Sequence, residues 1–233
     1  MRQFFGILRP YTNLVVALSE KSDASMRFEG KQHRDRFLEN VGVDALGVVS
    51  AELVHGNSVQ IVSGQDTGNI IPQADGLITI DRGVSLSVTV ADCLAIFLFD
   101  PQKEVIGLFH AGWRGLASNI VTAGVEKMQE RFRVRPQDIL AGVGPGIGPC
   151  HYEVQEDVIQ QFQNFPSAIV EREGKVFLNL KRVAVSQLKH SGIKEQHIEV
   201  HPDCTYCVQH KYFSYRRDKT EIPSVMMALI KMK

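Results

Sequence analysis

The sequence predicts an α+β protein in which helices follow a mainly antiparallel sheet, and three observations predict it. Short apolar runs rich in Val, Ile and Phe, cut by Gly, Asn and Asp, fill the chain as far as residue 111. From Leu116 the apolar spacing turns helical. Neither an internal repeat nor a low-complexity linker divides the 233 residues, a length that suits one domain, 1–233.

Taken in order, residues 13–18 read as a strand and the polar stretch 19–32 as a loop. Residues 33–41 read as a short helix ended by Gly42. The strand-like run 45–54 breaks at His55-Gly56-Asn57, a turn signal directly after a histidine. Residues 59–62, 76–80 and 84–90 are further strands. Runs 94–99 and 105–109 flank Asp100-Pro101-Gln102-Lys103 and predict a hairpin. Pairing Phe99 with Glu104 across that loop sets Cys93 opposite His110, where Cβ atoms lie about 4.5–5.5 Å apart. Leu116, Ile120, Gly124, Met128 and Phe132 mark an amphipathic helix, with Pro136 beyond its end. Residues 138–143 return to strand. Val154, Val158, Phe162 and Phe165 outline a second helix, and Leu180, Val183, Ala184 and Leu188 a third, closed by Gly192. Residues 198–201, 212–215 and 225–230 complete the strands.

Lys+Arg and Asp+Glu both total 26, and no basic stripe is interleaved with aromatics, so a nucleic-acid partner is not expected. The apolar run 4–8 is cut by Arg9-Pro10, short of a signal peptide. No apolar stretch approaches the roughly 18 residues that span a bilayer, so no membrane partner is expected and a cytoplasmic protein is. In that reducing setting Cys93, Cys150, Cys204 and Cys207 read as thiols or metal ligands. Cys204-Thr-Tyr-Cys207 lacks the second such pair of a structural zinc site, which predicts two separately placed thiols beside a turn.

His55, Cys93 and His110 each lie where a strand run meets turn residues. Two imidazoles and a thiolate with a fourth position open describe a catalytic zinc site. Asp92 is a candidate general base, an orienting partner for a ligating imidazole, or a turn carboxylate capping backbone N–H groups. Trp113-Arg114-Gly115 opens the Leu116 helix, where amides and Arg114 favour an anion. The loop Gly144-Pro145-Gly146-Ile147-Gly148-Pro149 lacks the Lys-Ser/Thr ending of a phosphate-binding loop, but its glycines permit close approach to a flat ligand. Residues 215–219 form a charge cluster, a solvated face or an anion grip. His197-Ile-Glu-Val-His201 is not the zincin motif and reads as a strand with both histidines on one face.

LVHG (53–56), ADG (74–76), ADC (91–93), HAGWRG (110–115), GPGIGPCHYEV (144–154) and FSYRRDKT (213–220) resemble, in that order, the motifs of the YfiH/YlmD family. Its members are described variously as multicopper polyphenol oxidases (laccases), purine nucleoside phosphorylase-like proteins and peptidoglycan editing factors. The resemblance covers about residues 34–219. It implies a single-domain α/β/α-type layered fold like that of cytotoxic-necrotizing-factor-like cysteine hydrolases. It also implies a zinc site on His55, Cys93 and His110, the trio the residues themselves suggest; Cys93, His110 and Asp92 are the catalytic candidates. The activities implied are phosphorolysis of adenosine, inosine or methylthioadenosine and deamination of adenosine, with Arg34 helping to hold phosphate. Asn57, Arg114 and Gly146 complete the candidate substrate contacts. The chain departs from the family at Leu53 (usually Gln), at Val90 (usually Thr) and at Glu221-Ile222-Pro223 (usually Thr-Gly-Arg). Eight histidines with no His-X-His pair do not suit a multicopper oxidase, so zinc is expected in preference to copper.

Three functions follow as expectations. The first is a zinc enzyme on purine nucleosides and phosphate, working as a monomer or small homo-oligomer. The second is a thiol hydrolase with Cys93 as nucleophile and His110 as base, acting on a cell-wall precursor. The third is a non-enzymatic metal-storage protein.

Overall fold

The computed structural model describes residues 4–233. In chain order its elements are β1 (Leu14–Leu18), α1 (Lys31–Val41), β2 (Val48–Ala51), β3 (Val59–Ile61), β4 (Ile70–Ile71), β5 (Gly76–Thr79) and β6 (Ser85–Val90). Next come β7 (Leu94–Asp100), β8 (Val105–Ala111), α2 (Trp113–Ala117), α3 (Ile120–Phe132), β9 (Leu140–Val143) and α4 (Glu156–Ile159). The remainder are β10 (Ile169–Arg172), β11 (Lys175–Leu178), α5 (Leu180–His190), β12 (Ile198–Val200), α6 (Tyr215–Asp218) and β13 (Met226–Met232).

The chain is α+β, as the patterning implies, but its strands divide into two mixed sheets rather than one. One sheet runs β1-β13-β6-β2-β4 and the other β12-β9-β7-β8-β5-β3, with β10-β11 as a separate hairpin. Alternate residues of β7 explain why that strand reads as one apolar run: both faces are covered. Ala95, Phe97 and Phe99 look toward the first sheet, packing with Leu86, Val88, Ala228 and Ile230. Leu94, Ile96 and Leu98 look the other way, onto Val121, Val125, Val183 and Leu188 of α3 and α5. Outside the first sheet, Phe37 and Leu38 of α1 cover Val15, Met227 and Leu229. The layers are therefore helix, sheet, sheet, helices.

Several local expectations need correction. In the β7–β8 hairpin Asp100 pairs with Val105, so His110 faces Ala95 rather than Cys93. The loop begins one residue later because Asp100 Oδ1 accepts the amides of Gln102 and Lys103, an Asx turn, and Glu104 takes a left-handed φ of 53°. The helix from Leu116 is broken at Asn119, whose φ is 58°. Gln187 Nε2 donates there to the Leu116 carbonyl at 2.6 Å and to Asn119 Oδ1 at 3.2 Å, tying the break to α5. Residues 212–215 are not a strand: Tyr212 is buried with its hydroxyl donating to Asp203 Oδ2 (2.9 Å), and α6 starts at Tyr215. Of the second predicted helix only α4 is α-helical: the chain tightens to a 3-10 turn over 160–162, and Pro166 opens a separate 3-10 turn beyond it. The hairpin β10–β11 was not predicted. It turns at Glu173 and Gly174, both with positive φ, and its mostly polar or half-exposed residues carry no apolar stripe.

Gly124 of α3 lies directly on the Phe109 ring, with no room for a Cβ. Helix propensity alone would favour Ala there by about 1 kcal/mol. Overpacking costs about 1–3 kcal/mol and should win, so Gly124→Ala is expected to unfold at a lower denaturant midpoint than the wild type. An unchanged or raised midpoint would show that Phe109 moves aside freely.

Candidate functional site

The ends of β5, β7 and β8 meet the turn after β2 at one rim of the core between the sheets. His55 stands in that turn with φ 60°, Cys93 just before β7, and His110 within β8. A donor atom from each of the three lies within 4.8 Å of the others. The shifted hairpin register does not separate Cys93 from His110, because a slip that preserves parity leaves both on one face as diagonal neighbours. Continued by one step, the register sets Gly112 against Cys93, and a Cβ at Gly112 would stand 2.8 Å from Cys93 Sγ. Only a glycine leaves the sulfur free to lean toward the imidazoles. The two imidazoles meet edge to face, centroids 4.8 Å apart.

Asp75 organises this group, and sequence reasoning assigned it no role. Its Oδ1 accepts the His55 amide (2.8 Å) and lies 3.3 Å from His110 Nδ1, while its Oδ2 accepts the Gly56 amide (2.6 Å). One fully buried carboxylate thus pins the turn that carries His55 and orients the ring of His110, leaving Nε2 as the outward donor. Burial alone would push its carboxyl up. Contact with His110 and the two amides outweigh that and hold it below the usual carboxylate range. Burial likewise opposes ionisation of Cys93, but His110 and His55 draw the thiol down to about 6. Burial lowers His110 as well, yet Cys93 and Asp75 outweigh it and raise the imidazole to about 9. The protein itself therefore favours a thiolate at Cys93 paired with an imidazolium at His110; the thiolate is the form a metal requires, and the His110 proton would leave on binding.

Asp92 stands elsewhere. It is buried, with φ 81°, and its oxygens accept Thr205 Oγ1 (2.6 Å), Ser214 Oγ (3.0 Å) and the Arg216 amide (2.7 Å). It ties the 205–216 segment down, and the carboxylate on His110 is Asp75. Gly146 is packed against the protein itself, where a Cβ would meet Leu94 Cδ2 at 2.5 Å and the Asp92 carbonyl at 2.8 Å. Arg34, on α1, donates to the Met26 carbonyl (3.0 Å) and Ser50 Oγ (3.1 Å) and stacks on Phe28; burial brings its guanidinium down to about 10. Asn57 Nδ2 donates to the Ser118 carbonyl (2.7 Å) and lines a cavity of about 560 Å³ with Asn119, Thr122 and Glu126. Arg114 is exposed and stacks on Trp113, on a helix only five residues long. In the 215–219 cluster, Arg217 donates to the carbonyls of Thr205, Tyr206 and Tyr212, and Arg216 to that of Glu153. Those two arginines fasten loops. His197 and His201 do not join in any candidate metal cluster among the described residues; His201 stacks on Phe4.

The cysteines hold one more correction. Cys204 and Cys207 are not separately placed thiols: they converge with Cys150 and His151, all four donor atoms within 4.8 Å of one another.

A family model described as multi-copper polyphenol oxidoreductase laccase matches residues 8–233. The purine nucleoside phosphorylase YlmD of Geobacillus stearothermophilus is 35% identical over 223 residues, 90% of this chain and 80% of that protein. The purine nucleoside phosphorylase of Deinococcus radiodurans is 36% identical over 189 residues, 80% of this chain and 71% of that one. Among solved structures, YlmD of Geobacillus stearothermophilus matches with a TM-score of 0.90 at 31% identity, covering 96% of this chain and 93% of that one. The hypothetical protein YfiH of Bacillus licheniformis also reaches 0.90, at 27% identity over 96% of this chain and 94% of that one.

Proposed function

Because the chain belongs to the multi-copper polyphenol oxidoreductase laccase family, whose relatives above are named purine nucleoside phosphorylases, we propose that it is a zinc-dependent phosphorylase of purine nucleosides. The observation that carries this reading is the convergence of His55, Cys93 and His110 with Asp75 behind them. Two imidazoles and a thiolate suit zinc, and three protein ligands leave the fourth position to substrate. The cradle at Gly112, the oriented ring of His110 and the favoured thiolate at Cys93 all fit such an ion. When bound, zinc would supply Lewis-acid polarisation of a substrate oxygen. The two candidate metal clusters among the described residues hold only three histidines, His55, His110 and His151, too few for a multicopper centre.

In phosphorolysis a phosphate oxygen attacks C1′ as the C1′–N9 bond breaks, and the base departs with the bonding pair and takes up a proton. Negative charge must be held near C1′ while this happens. Arg114, exposed four residues after His110 at the start of α2, is the group proposed to hold it, whereas Arg34 is engaged by Met26 and Ser50 on the α1 side of the first sheet. Asp75 keeps His110 and the His55 turn in place, so little reorganisation is left to the reaction. Deamination of adenosine is proposed as a second reaction of the same site.

The test is turnover by the full chain. Inosine or adenosine with phosphate is expected to release the free base and ribose 1-phosphate, chelator to stop the reaction, and zinc to restore it. Zinc-loaded protein that turns over no purine nucleoside would sink the proposal. The low thiol of Cys93 supports a second reading, a metal-free thiol hydrolase with His110 as base, acting on an amide such as that of a cell-wall precursor. Iodoacetamide separates the two: zinc-bound Cys93 is expected to be alkylated only after chelation, whereas a free thiolate reacts at once.

A further inference from the structure

The geometry points to a second metal centre, a closed zinc site formed by Cys150, His151, Cys204 and Cys207 that serves as a structural clamp. Cys207 Sγ lies 3.5 Å from Cys150 Sγ and 3.2 Å from His151 Nδ1. Bonds of about 2.3 Å to sulfur and 2.0–2.1 Å to nitrogen place tetrahedral ligands roughly 3.5–3.8 Å apart, close to these separations. Cys₃His is a set that structural zinc uses, with all four positions filled by protein. This is a different chemistry from the open His₂Cys group at the rim of the core.

Three neighbours fit that use. The Gly148 amide donates to Cys204 Sγ at 3.1 Å, the kind of hydrogen bond that orients a ligand from the outer shell, and a Cβ at Gly148 would crowd both Cys150 and Cys204. His151 is held flat against Tyr206, centroids 4.0 Å apart, which fixes the ring with Nδ1 toward Cys207. Zinc bound by three thiolates leaves one negative charge, and the Lys181 ammonium, held by the carbonyls of His201 and Asp203, lines the same cavity as Cys150 and Cys204. Binding releases the thiol protons to solvent.

The clamp joins the Gly-rich loop 144–149 to the segment 204–207, and the same segment reaches Asp92 through Thr205. Asp92 precedes Cys93, so metal at the second centre steadies the strand end that carries the first.

Metal analysis of the full chain, purified from zinc-supplemented cells without chelator, tests this. About two zinc ions per chain are expected. Cys207→Ser, at an exposed position, and His55→Ala should each lose one, and the double variant both. With cobalt in place of zinc, the His55→Ala protein should show strong thiolate-to-cobalt charge-transfer absorption that Cys207→Ser removes from that background. Unchanged zinc content in Cys207→Ser would overturn the proposal, as would an intact mass showing Cys150 and Cys207 joined as a disulfide. If only the first site were misread, His55→Ala would keep full zinc while Cys207→Ser still lost one ion, so the two failures are distinguishable.

Discussion

Asp75→Asn is expected to lower nucleoside turnover by about 10–100-fold and to weaken zinc binding by a similar factor, the usual cost of removing a partner behind a metal ligand. The reason is the number of contacts one buried carboxylate makes: the amides of His55 and Gly56 and the ring of His110. An asparagine presents one acceptor, and its NH₂ must face a donor that has nowhere else to go. Each donor left unsatisfied costs about 1–3 kcal/mol, so a fall in stability accompanies the loss of activity. The pH dependence has a definite sign. The folded carboxyl lies below its ordinary value of 3.8, so its contribution is present above that value and is lost as pH falls through the lower one. The wild type should therefore lose stability more steeply toward acid than Asp75→Asn does. Zinc titration of the apoprotein, turnover at saturating zinc, and thermal unfolding across pH check this. Wild-type zinc affinity together with wild-type turnover would remove Asp75 from the site.

Asp92→Ala is expected to be the most destabilising single change near the site, by about 3–5 kcal/mol, because it strands the buried hydroxyls of Thr205 and Ser214 and the amide of Arg216. In a chain of this size that lowers the melting temperature by about 10 °C or more. Asp92→Asn keeps one acceptor oxygen and tolerates the left-handed backbone at φ 81° better than alanine, so it should lose less. Turnover by folded Asp92→Asn separates the structural role from a catalytic one. Near-normal activity below the melting temperature fits a clasp, whereas an intact fold with turnover gone would make Asp92 the base.

The contrast between these two carboxylates shows what the sequence could reveal. His55, Cys93 and His110 were legible because each sits where an apolar strand run meets a turn, and strand ends on one rim converge. The hairpin register was wrong, yet the juxtaposition survived, because the error preserved the alternation of faces. Asp75 left no such mark. Set between Ala74 and Gly76 it reads as turn punctuation, and its contacts arise only when β5 is laid beside β8, which brings His110, and beside β3, whose preceding turn brings the amides of His55 and Gly56. Asp92 adjoins Cys93 in sequence, but its carboxylate is taken up by Thr205, Ser214 and Arg216 instead. The Cys150/Cys204/Cys207 cluster is illegible as a spacing motif, since the partners of Cys204-X-X-Cys207 are not a second such pair but an adjacent Cys-His more than fifty residues upstream. At Asn119 the period ran on through a break, since apolar spacing records which face is buried and not whether the backbone is continuous.

The place of β13 also bears on how the chain acquires its shape. It lies between β1 and β6, pairing with residues more than two hundred and more than a hundred positions earlier. During synthesis both neighbours emerge long before residues 226–232 do, and until then each presents a bare edge to other nascent chains. Closure of that sheet is a late, long-range event, which predisposes this protein to slow folding and to dependence on chaperones while it waits.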